Sequence, residues 1–355
     1  MIDVIIPAYN NHSTIEQSLC SLVMQINKDE LQVIIANDGG NDYSEVIRIF
    51  SRWLNIKEIK CPENRGPGFA RNYALDNSNS EYIVFMDADD TFTSSYAILA
   101  MRKAMDENPN ICFLIGSIAE YEYDLQTGLW GVTEMQPNLM FLFGHIYRRS
   151  FLDKYNIRFQ TACFNEDVGF NGLCASYAGH ERSGDGVVFY GGPPLYTWTW
   201  SSTSFSRTRG DLYKKQLCIP GYTYNHLELF KKLENDNLAI DEYLWNLMVV
   251  LFTLYSQHQL ILGEENCSPI VSFYTEELNR QFFYKYYHTI KKLVQPEVFD
   301  KCFIDRMNEV DPEERALFKM TFEEFVELMF SKPPRYDLDY LKVEQDFLHN
   351  RLEEE

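Results

Sequence analysis

The first hundred residues alternate between two periods, and that alternation constrains the fold more than any other feature of the chain. Short apolar runs at IDVIIP (2–7), LQVIIAN (31–37), NIKEIKC (55–61) and EYIVFMD (81–87) have the length and texture of strands. Between them, HSTIEQSLCSLVMQ, YSEVIRIFSRWL and GFARNYALDNS space their apolar residues as helices do. Near-continuous apolar strands separated by amphipathic helices predict an α/β class, with a mostly parallel sheet covered on both faces and right-handed crossovers. Ligands of such sheets bind beyond the carboxyl ends of the strands. Here those ends read PAYNN, NDGG, PENRGPG and DADD, four polar segments that the fold would bring to one edge. Pro, Asn, Asp and Gly end strands routinely, so any one segment alone is an ordinary turn. Four converging on one edge point to a site.

Downstream, ICFLIGSIAEYEYD and GLWGVTEM predict strands joined by the turn LQTG. FNEDVGFNGLCASYAG predicts a helix with its carboxylates at the start, and GVVFYGG and PLYTWTW predict two more strands. Beyond about residue 210 the texture changes to long helical patterns such as GYTYNHLELFKKL and FEEFVELMF. The expected organisation is an α/β domain over 1–210 and a mainly helical domain over 211–355. Within the latter, RQFFYKYYHTIKKLV (280–294) reads as an amphipathic packing helix in preference to a membrane-surface or nucleic-acid contact.

At 355 residues and 45% hydrophobic, the chain has ample core. Its apolar runs are of strand length, short of the roughly 20 residues of a membrane span. MIDVIIPAYN lacks the basic flank and cleavage pattern of a signal peptide, so the expectation is a soluble, cytosolic chain. Eight cysteines without a CxxC pair read as reduced thiols. A formal net charge of −20 argues against a surface that neutralises polyanions; a phosphate-bearing ligand would need a metal ion or placed arginines.

The segment YIVFMDADDTF (82–92) runs from a strand into Asp87, Asp89 and Asp90. Carboxylates one residue apart on a tight turn can face the same hard divalent cation, Mg2+ or Mn2+, that keeps positions open for phosphate oxygens. The structural alternative is that Asp89 and Asp90 cap a helix starting near Ser94, or form a solvated turn.

Taken together, VIIPAYNN, IIANDGG, ENRGPGFARNYAL, VFMDADD, GHIYRRSFL and FNEDVGF resemble, in this order and at similar spacings, the family-2 glycosyltransferases, over roughly residues 1–205. The resemblance implies an inverting enzyme of the GT-A fold, a Rossmann-like, mixed but mostly parallel sheet flanked by helices. It implies a nucleotide-diphosphate-sugar donor, with UDP favoured, and Mn2+ or Mg2+ as cofactor. By position it puts Pro7, Ala8, Tyr9 and Asn10 beside the nucleotide, with Tyr9 packing on the base, and gives Asp38 a hydrogen bond from that base. The motif here is Asn37-Asp38-Gly39-Gly40, so the first aspartate of the family's Asp-Asp-Gly-Ser is replaced and the second kept. Asn64, Gly66 and Arg71 match the pattern Asn-x-Gly-x-x-x-Ala-Arg-Asn. There the glycine admits close backbone approach and the arginine offsets diphosphate or aspartate charge. Asp87 and Asp89 match the metal motif, with Asp89 the direct ligand and Asp87 nearer the ribose or held through water, and Ala88 between them is placed with Asp87 beside the nucleotide sugar. The general-base role falls on Asp167, with Glu166 orienting acceptor or base. Both also lie at a helix start, which favours carboxylates by about 0.3–1 kcal/mol without any catalytic role.

Other features stand outside that pattern. No histidine follows in YTWTWSSTSFSRT, and neither His180 nor His226 holds a motif position, which leaves the third metal or diphosphate contact open. Ser201, Ser204, Arg207 and Arg209 suit a lid over the diphosphate or a plain polar loop. Trp198 suits a sugar face or the core. His145 suits a structural or an acceptor-adjacent place, and Arg148 and Arg149 suit ion pairs or diphosphate. The resemblance admits many acceptors: polysaccharide, lipid-linked glycan, teichoic-acid-like polymer, protein or modified phage-DNA base. The lack of a transmembrane segment disfavours processive polysaccharide synthases, and the charge disfavours nucleic acid. Homo-oligomerisation through the helical domain, a peripheral membrane location and, for a viral chain, a host-cell location are left open.

The competing reading is a non-catalytic nucleotide-sugar-binding or scaffold protein of the same fold, against which the intact Asp87, Asp89 and Asp167 argue. Nucleotidyl transfer would require a Gly-rich loop with following Arg and Lys, and a pyridine-nucleotide oxidoreductase its glycine fingerprint; PAYNNHST carries neither.

Overall fold

The computed structural model describes residues 1–124, 127–139, 141–182, 186–199, 210–238, 243–261, 268–293 and 295–354. The chain divides into two compact units, Met1–Ser204 and Phe205–Glu355.

The first unit begins with the expected alternation: β1 (Ile2–Ala8), α1 (Ile15–Val23), β2 (Leu31–Asn37), α2 (Ser44–Phe50), β3 (Asn55–Lys60), α3 (Pro67–Asp76) and β4 (Tyr82–Phe85). β1 pairs in parallel with β2 and β4, and β2 with β3. Val4, Ile5, Ile6, Val33, Ile34 and Ile35 are all fully buried. Burial on both faces is why these strands read as continuous apolar runs. β3 lies at the sheet's edge, half-exposed, and its sequence mixes lysine, glutamate and isoleucine accordingly. β4 ends at Phe85, so Met86 and Asp87 already belong to the turn that follows.

Next come β5 (Thr91–Phe92), α4 (Ala97–Glu107), β6 (Phe113–Ile115), β7 (Ile118–Asp124), β8 (Leu129–Met135), β9 (His145–Arg148), α5 (Arg149–Lys154), α6 (Glu166–Arg182), β10 (Val187–Phe189) and β11 (Tyr196–Thr199). The seven-stranded sheet has the order β10-β6-β9-β4-β1-β2-β3, and β9 runs antiparallel to both β4 and β6. A second sheet, β5-β11-β7-β8, stands beside it. The single apolar run at 111–124 is therefore two strands in two sheets. Gly116 marks the crossing: a Cβ there would lie 2.6 Å from the Gly144 carbonyl oxygen and 2.7 Å from Leu195 Cδ1.

The second unit is helical, with α7 (Gly210–Asn235), α8 (Tyr243–Ile261), α9 (Pro269–Leu293), α10 (Pro296–Glu309), α11 (Pro312–Arg315), α12 (Phe322–Phe330) and α13 (Tyr340–Glu354). On α9, Phe282, Phe283, Tyr286 and Ile290 are buried while Lys285, Lys291 and Lys292 are exposed, the pattern of a packing helix. Arg280 is buried too, bonded to Glu276 Oε1 at 2.6 Å and to the Leu328 and Met329 carbonyls at 2.5 and 3.1 Å, which ties α9 to the end of α12. Among the described residues no helix is long and apolar enough to cross a membrane, and no cysteine is in a disulfide.

Candidate active site

Register brings the carboxyl ends of β1 to β4 together, with Ala8 opposite Asn37, Asn37 opposite Lys60 and Ile5 opposite Phe85. Pro7 and Ala8 close β1, and Tyr9, 39% exposed, and Asn10, at φ 58°, project from the edge. Gly40 lets the first two loops close on each other, because a Cβ there would meet the Asn10 nitrogen at 2.7 Å. Asn37 explains its departure from aspartate. Its Oδ1 accepts the Gly39 and Gly40 N–H groups at 3.2 and 3.1 Å, and its Nδ2 donates to Glu58 Oε1 at 2.7 Å. An aspartate there would set two carboxylates against each other.

Asp38, 3% exposed, ties the second loop to the third: its Oδ2 accepts the Gly66 N–H at 2.7 Å and its Oδ1 the Arg65 N–H at 3.2 Å. Burial pushes its pKa up to about 6, with the two amides opposing. Gly66 is required twice over, by its φ of 87° and by Cys163 Sγ, which a Cβ would meet at 2.8 Å. Asn64 is exposed, its Cβ 3.6 Å from the position a Gly39 Cβ would occupy.

Asp87, Ala88, Asp89 and Asp90 form the turn between β4 and β5. One carboxylate oxygen from each aspartate lies within 4.8 Å of the others. Asp87 and Asp89 are part-exposed, whereas Ala88 and Asp90 are buried. Arg71 on α3, itself buried, donates from Nη2 to Asp87 Oδ1 at 2.7 Å and from Nη1 to Glu166 Oε1 at 2.6 Å, and its guanidinium lies 5.3 Å from the Phe159 ring centroid. Burial works against the Arg71 charge, but Asp87 and Glu166 outweigh it and raise its pKa. Arg71 thus offsets aspartate charge from beneath the turn.

Asp90 neither caps a helix nor forms a solvated turn. Tyr196 Oη donates to its Oδ2 at 3.0 Å, and the Thr199 N–H to its Oδ1 at 2.8 Å. Its burial and the neighbouring Asp89 and Asp87 raise its pKa well above the usual range. The nearby helix α4 starts at Ala97 without a side-chain cap. The clamp by Tyr196 and Thr199 is the part of the site that sequence reasoning missed; its only trace is the third acidic residue of DADD.

Glu166 and Asp167 open α6. Gly68 allows α3 to pack against this end, since a Cβ there would lie 2.7 Å from the Gln160 carbonyl oxygen and 3.1 Å from Glu166 Cγ. Burial, with the Glu166 charge, pushes Asp167 up to about 7, and Arg71 opposes the shift. The Val168 N–H donates to Asp167 Oδ1 at 2.8 Å.

The remaining candidates lie elsewhere. His145 is buried, its Nδ1 3.0 Å from Tyr147 Oη, which donates to Asn171 Oδ1 at 2.7 Å; burial lowers its pKa to about 3 and makes it a neutral structural group. Arg149 pairs with Asp3 at 2.9 Å at the opposite, amino end of β1, and Arg148 donates to the Ile111 and Met105 carbonyls. Trp198 is half-buried, 5.4 Å from Phe141 and 6.2 Å from Phe143 by ring centroid. His180 is exposed on α6, and His226, in the helical unit, is buried against the Tyr222 carbonyl. Ser201, Ser204, Arg207 and Arg209 lie outside the described residues.

A mostly parallel sheet, an acidic turn after its fourth strand in sequence and a carboxylate pair opening a helix behind that turn define the GT-A class of sugar-transferring folds. Residues 3–165 match the profile described as Glycosyl transferase family 2. Glycosyltransferase GlyA of Streptococcus pneumoniae is 31% identical over 159 residues, 43% of this chain and 20% of that protein. Putative glycosyltransferase EpsH of Bacillus subtilis is 24% identical over 260 residues, 68% of this chain and 74% of EpsH. The chain thus spans only a fifth of the length of GlyA. The crystal structure of S. aureus TarS 1–349 in complex with UDP-GlcNAc superposes with a TM-score of 0.51 at 17% identity, covering 98% of this chain and 92% of that one, a likeness of fold.

Proposed function

We propose that the protein is an inverting glycosyltransferase that moves a sugar from a nucleotide-diphosphate donor, a UDP-sugar by preference, to a hydroxyl acceptor in one displacement. The observation that carries this reading is the Arg71 bridge. One buried guanidinium joins Asp87 of the acidic turn to Glu166, beside Asp167, so groups suited to the leaving diphosphate and to the attacking hydroxyl form one constellation.

Asp87 and Asp89 would hold the divalent cation, Mn2+ or Mg2+; an all-oxygen set of clustered carboxylates fits such an ion. When bound, the ion supplies positive charge to the departing diphosphate. Pro7 to Asn10 border the nucleotide, Tyr9 packs on the base, and Asp38 accepts from the base while its amide partners hold it in place. Asn64 and Gly66 shape the third loop beside them. Asp167, with Oδ1 steadied by the Val168 N–H, takes the acceptor hydroxyl's proton as that oxygen attacks the anomeric carbon. Glu166 is occupied by Arg71, so one carboxylate acts as base and no second serves as nucleophile, which suits inversion over a retaining double displacement. TarS, of the same fold, was crystallised with UDP-GlcNAc, which makes UDP-sugars the first donors to try.

The test is thermal unfolding of the purified protein with UDP, GDP, ADP and their sugars, with and without Mn2+. A metal-dependent rise in melting temperature with one nucleotide is expected. No rise with any of them, when a control nucleotide-binding protein responds normally, overturns the proposal.

A further inference from the structure

The acidic turn is held from a strand 106 residues away in sequence. Tyr196 of β11 is fully buried, stacked on Phe143 at 5.2 Å and edge-on to Phe92 at 5.5 Å, so packing fixes its ring. Its hydroxyl accepts the Asp87 N–H at 3.0 Å and donates to Asp90 Oδ2 at 3.0 Å. The other Asp90 oxygen accepts the Thr199 N–H at 2.8 Å. A cation site that also takes diphosphate oxygens needs ligands that reach solvent. Asp87 and Asp89 meet that condition; Asp90, at 0% exposure with a donor on each oxygen, does not.

We infer that Tyr196 and Asp90 are a positioning pair for the cation: Asp87 and Asp89 take the ion, while Asp90 and the Tyr196 hydroxyl fix the turn to β11 and so set the separation of the two ligand carboxylates. The physical need is plain. The oxygens of Asp87, Asp89 and Asp90 lie within 4.8 Å of one another, so charge on the two ligand carboxylates favours their separation, and a turn free to open between binding events would have to be closed again at each one. Donors from β11 hold it in the closed geometry beforehand, as outer groups do for ligands in other metal sites. The inference rests on the reading of this turn as the cation site.

Tyr196→Phe keeps the stacked ring and removes only the hydroxyl. Mn2+ binding, followed by electron paramagnetic resonance of the free ion with and without UDP, is expected to weaken about 10-fold. Asp90→Asn should weaken it to a similar degree, and the double variant no further than the worse single one, because both cut the same link. Asp89→Asn should abolish binding. A merely structural role for Tyr196 would lower the melting temperature without moving Mn2+ affinity. Wild-type affinity in Tyr196→Phe overturns the inference, and so does loss in Asp90→Asn as complete as in Asp89→Asn, which would make Asp90 a ligand. If Tyr196→Phe does not fold, Asp90→Asn alone decides between those outcomes. A wild-type protein that binds neither Mn2+ nor Mg2+, with or without UDP, overturns the cation reading itself and the inference with it.

Discussion

Asp167 combines a position at the start of α6 with a pKa pushed up to about 7 by burial and by Glu166. A base with that pKa exchanges protons effectively at neutral pH. Replacing it with Asn preserves shape and removes basicity, so transfer is expected to fall about 10²- to 10⁴-fold with donor affinity unchanged. Unchanged turnover would remove Asp167 from the role. Because only the ionised form accepts a proton, wild-type transfer should decline as pH falls through about 7 and level off above it. Stability runs the other way. The folded state keeps the Asp167 proton up to about 7, whereas the unfolded chain releases it near 3.8, so stability is greatest below the unfolded value and declines as pH rises toward 7. Asp38, raised by burial to about 6, adds the same sign. Buried His145, held at about 3, contributes the opposite sign, so the readout is a difference: in denaturant unfolding of the metal-free protein, the stability of wild type relative to Asp167→Asn should decline between pH 4 and 7, and a difference independent of pH would place the Asp167 titration elsewhere.

At the level of elements, Arg71 couples α3, the acidic turn and α6. Arg71→Met would leave Glu166 buried and unpaired, and breaking a buried pair from one side costs about 3–5 kcal/mol. Adding Glu166→Gln removes the stranded charge and should recover part of that loss; a double variant as unstable as Arg71→Met would mean the cost comes from Arg71 packing on Phe159. The elements differ in how far the sequence discloses them. β1, β2 and β4 are legible because parallel strands buried on both faces must be apolar throughout, and the turn formers after them mark the site edge. The break between β6 and β7 is not, because an apolar run carries no sign of which sheet it joins and Gly116 is explained only by Gly144 and Leu195. The partners of Asp38 are backbone amides, which no residue identity announces. Tyr196 looks like any aromatic strand residue until the fold sets it against a turn 106 positions earlier. The carboxylates and the Arg71 that pairs with two of them could be found from the sequence, whereas the Tyr196 and Thr199 donors to Asp90 and the amides on Asp38 could not.

For the whole molecule, the site residues described above all fall within Met1–Ser204, and that unit has its own sheets and core. A fragment of residues 1–204 is therefore expected to bind nucleotide and Mn2+ as the full chain does. Ligand at 100 times its Kd stabilises a folded domain by about 2.7 kcal/mol, and for a domain of this size each kcal/mol moves the melting temperature by about 2–4 °C, so the rise should be about 5–10 °C. If the proposed cation offsets the repulsion between a diphosphate and a chain of formal net charge −20, EDTA should remove the rise in fragment and full chain alike. A fragment that is folded by circular dichroism yet unresponsive, when the full chain responds, would mean that Phe205–Glu355 supplies part of the donor site. A rise that survives EDTA in the full chain and not in the fragment would mean that protein groups beyond residue 204 carry the diphosphate, and would move the search for them to the arginines at 207 and 209.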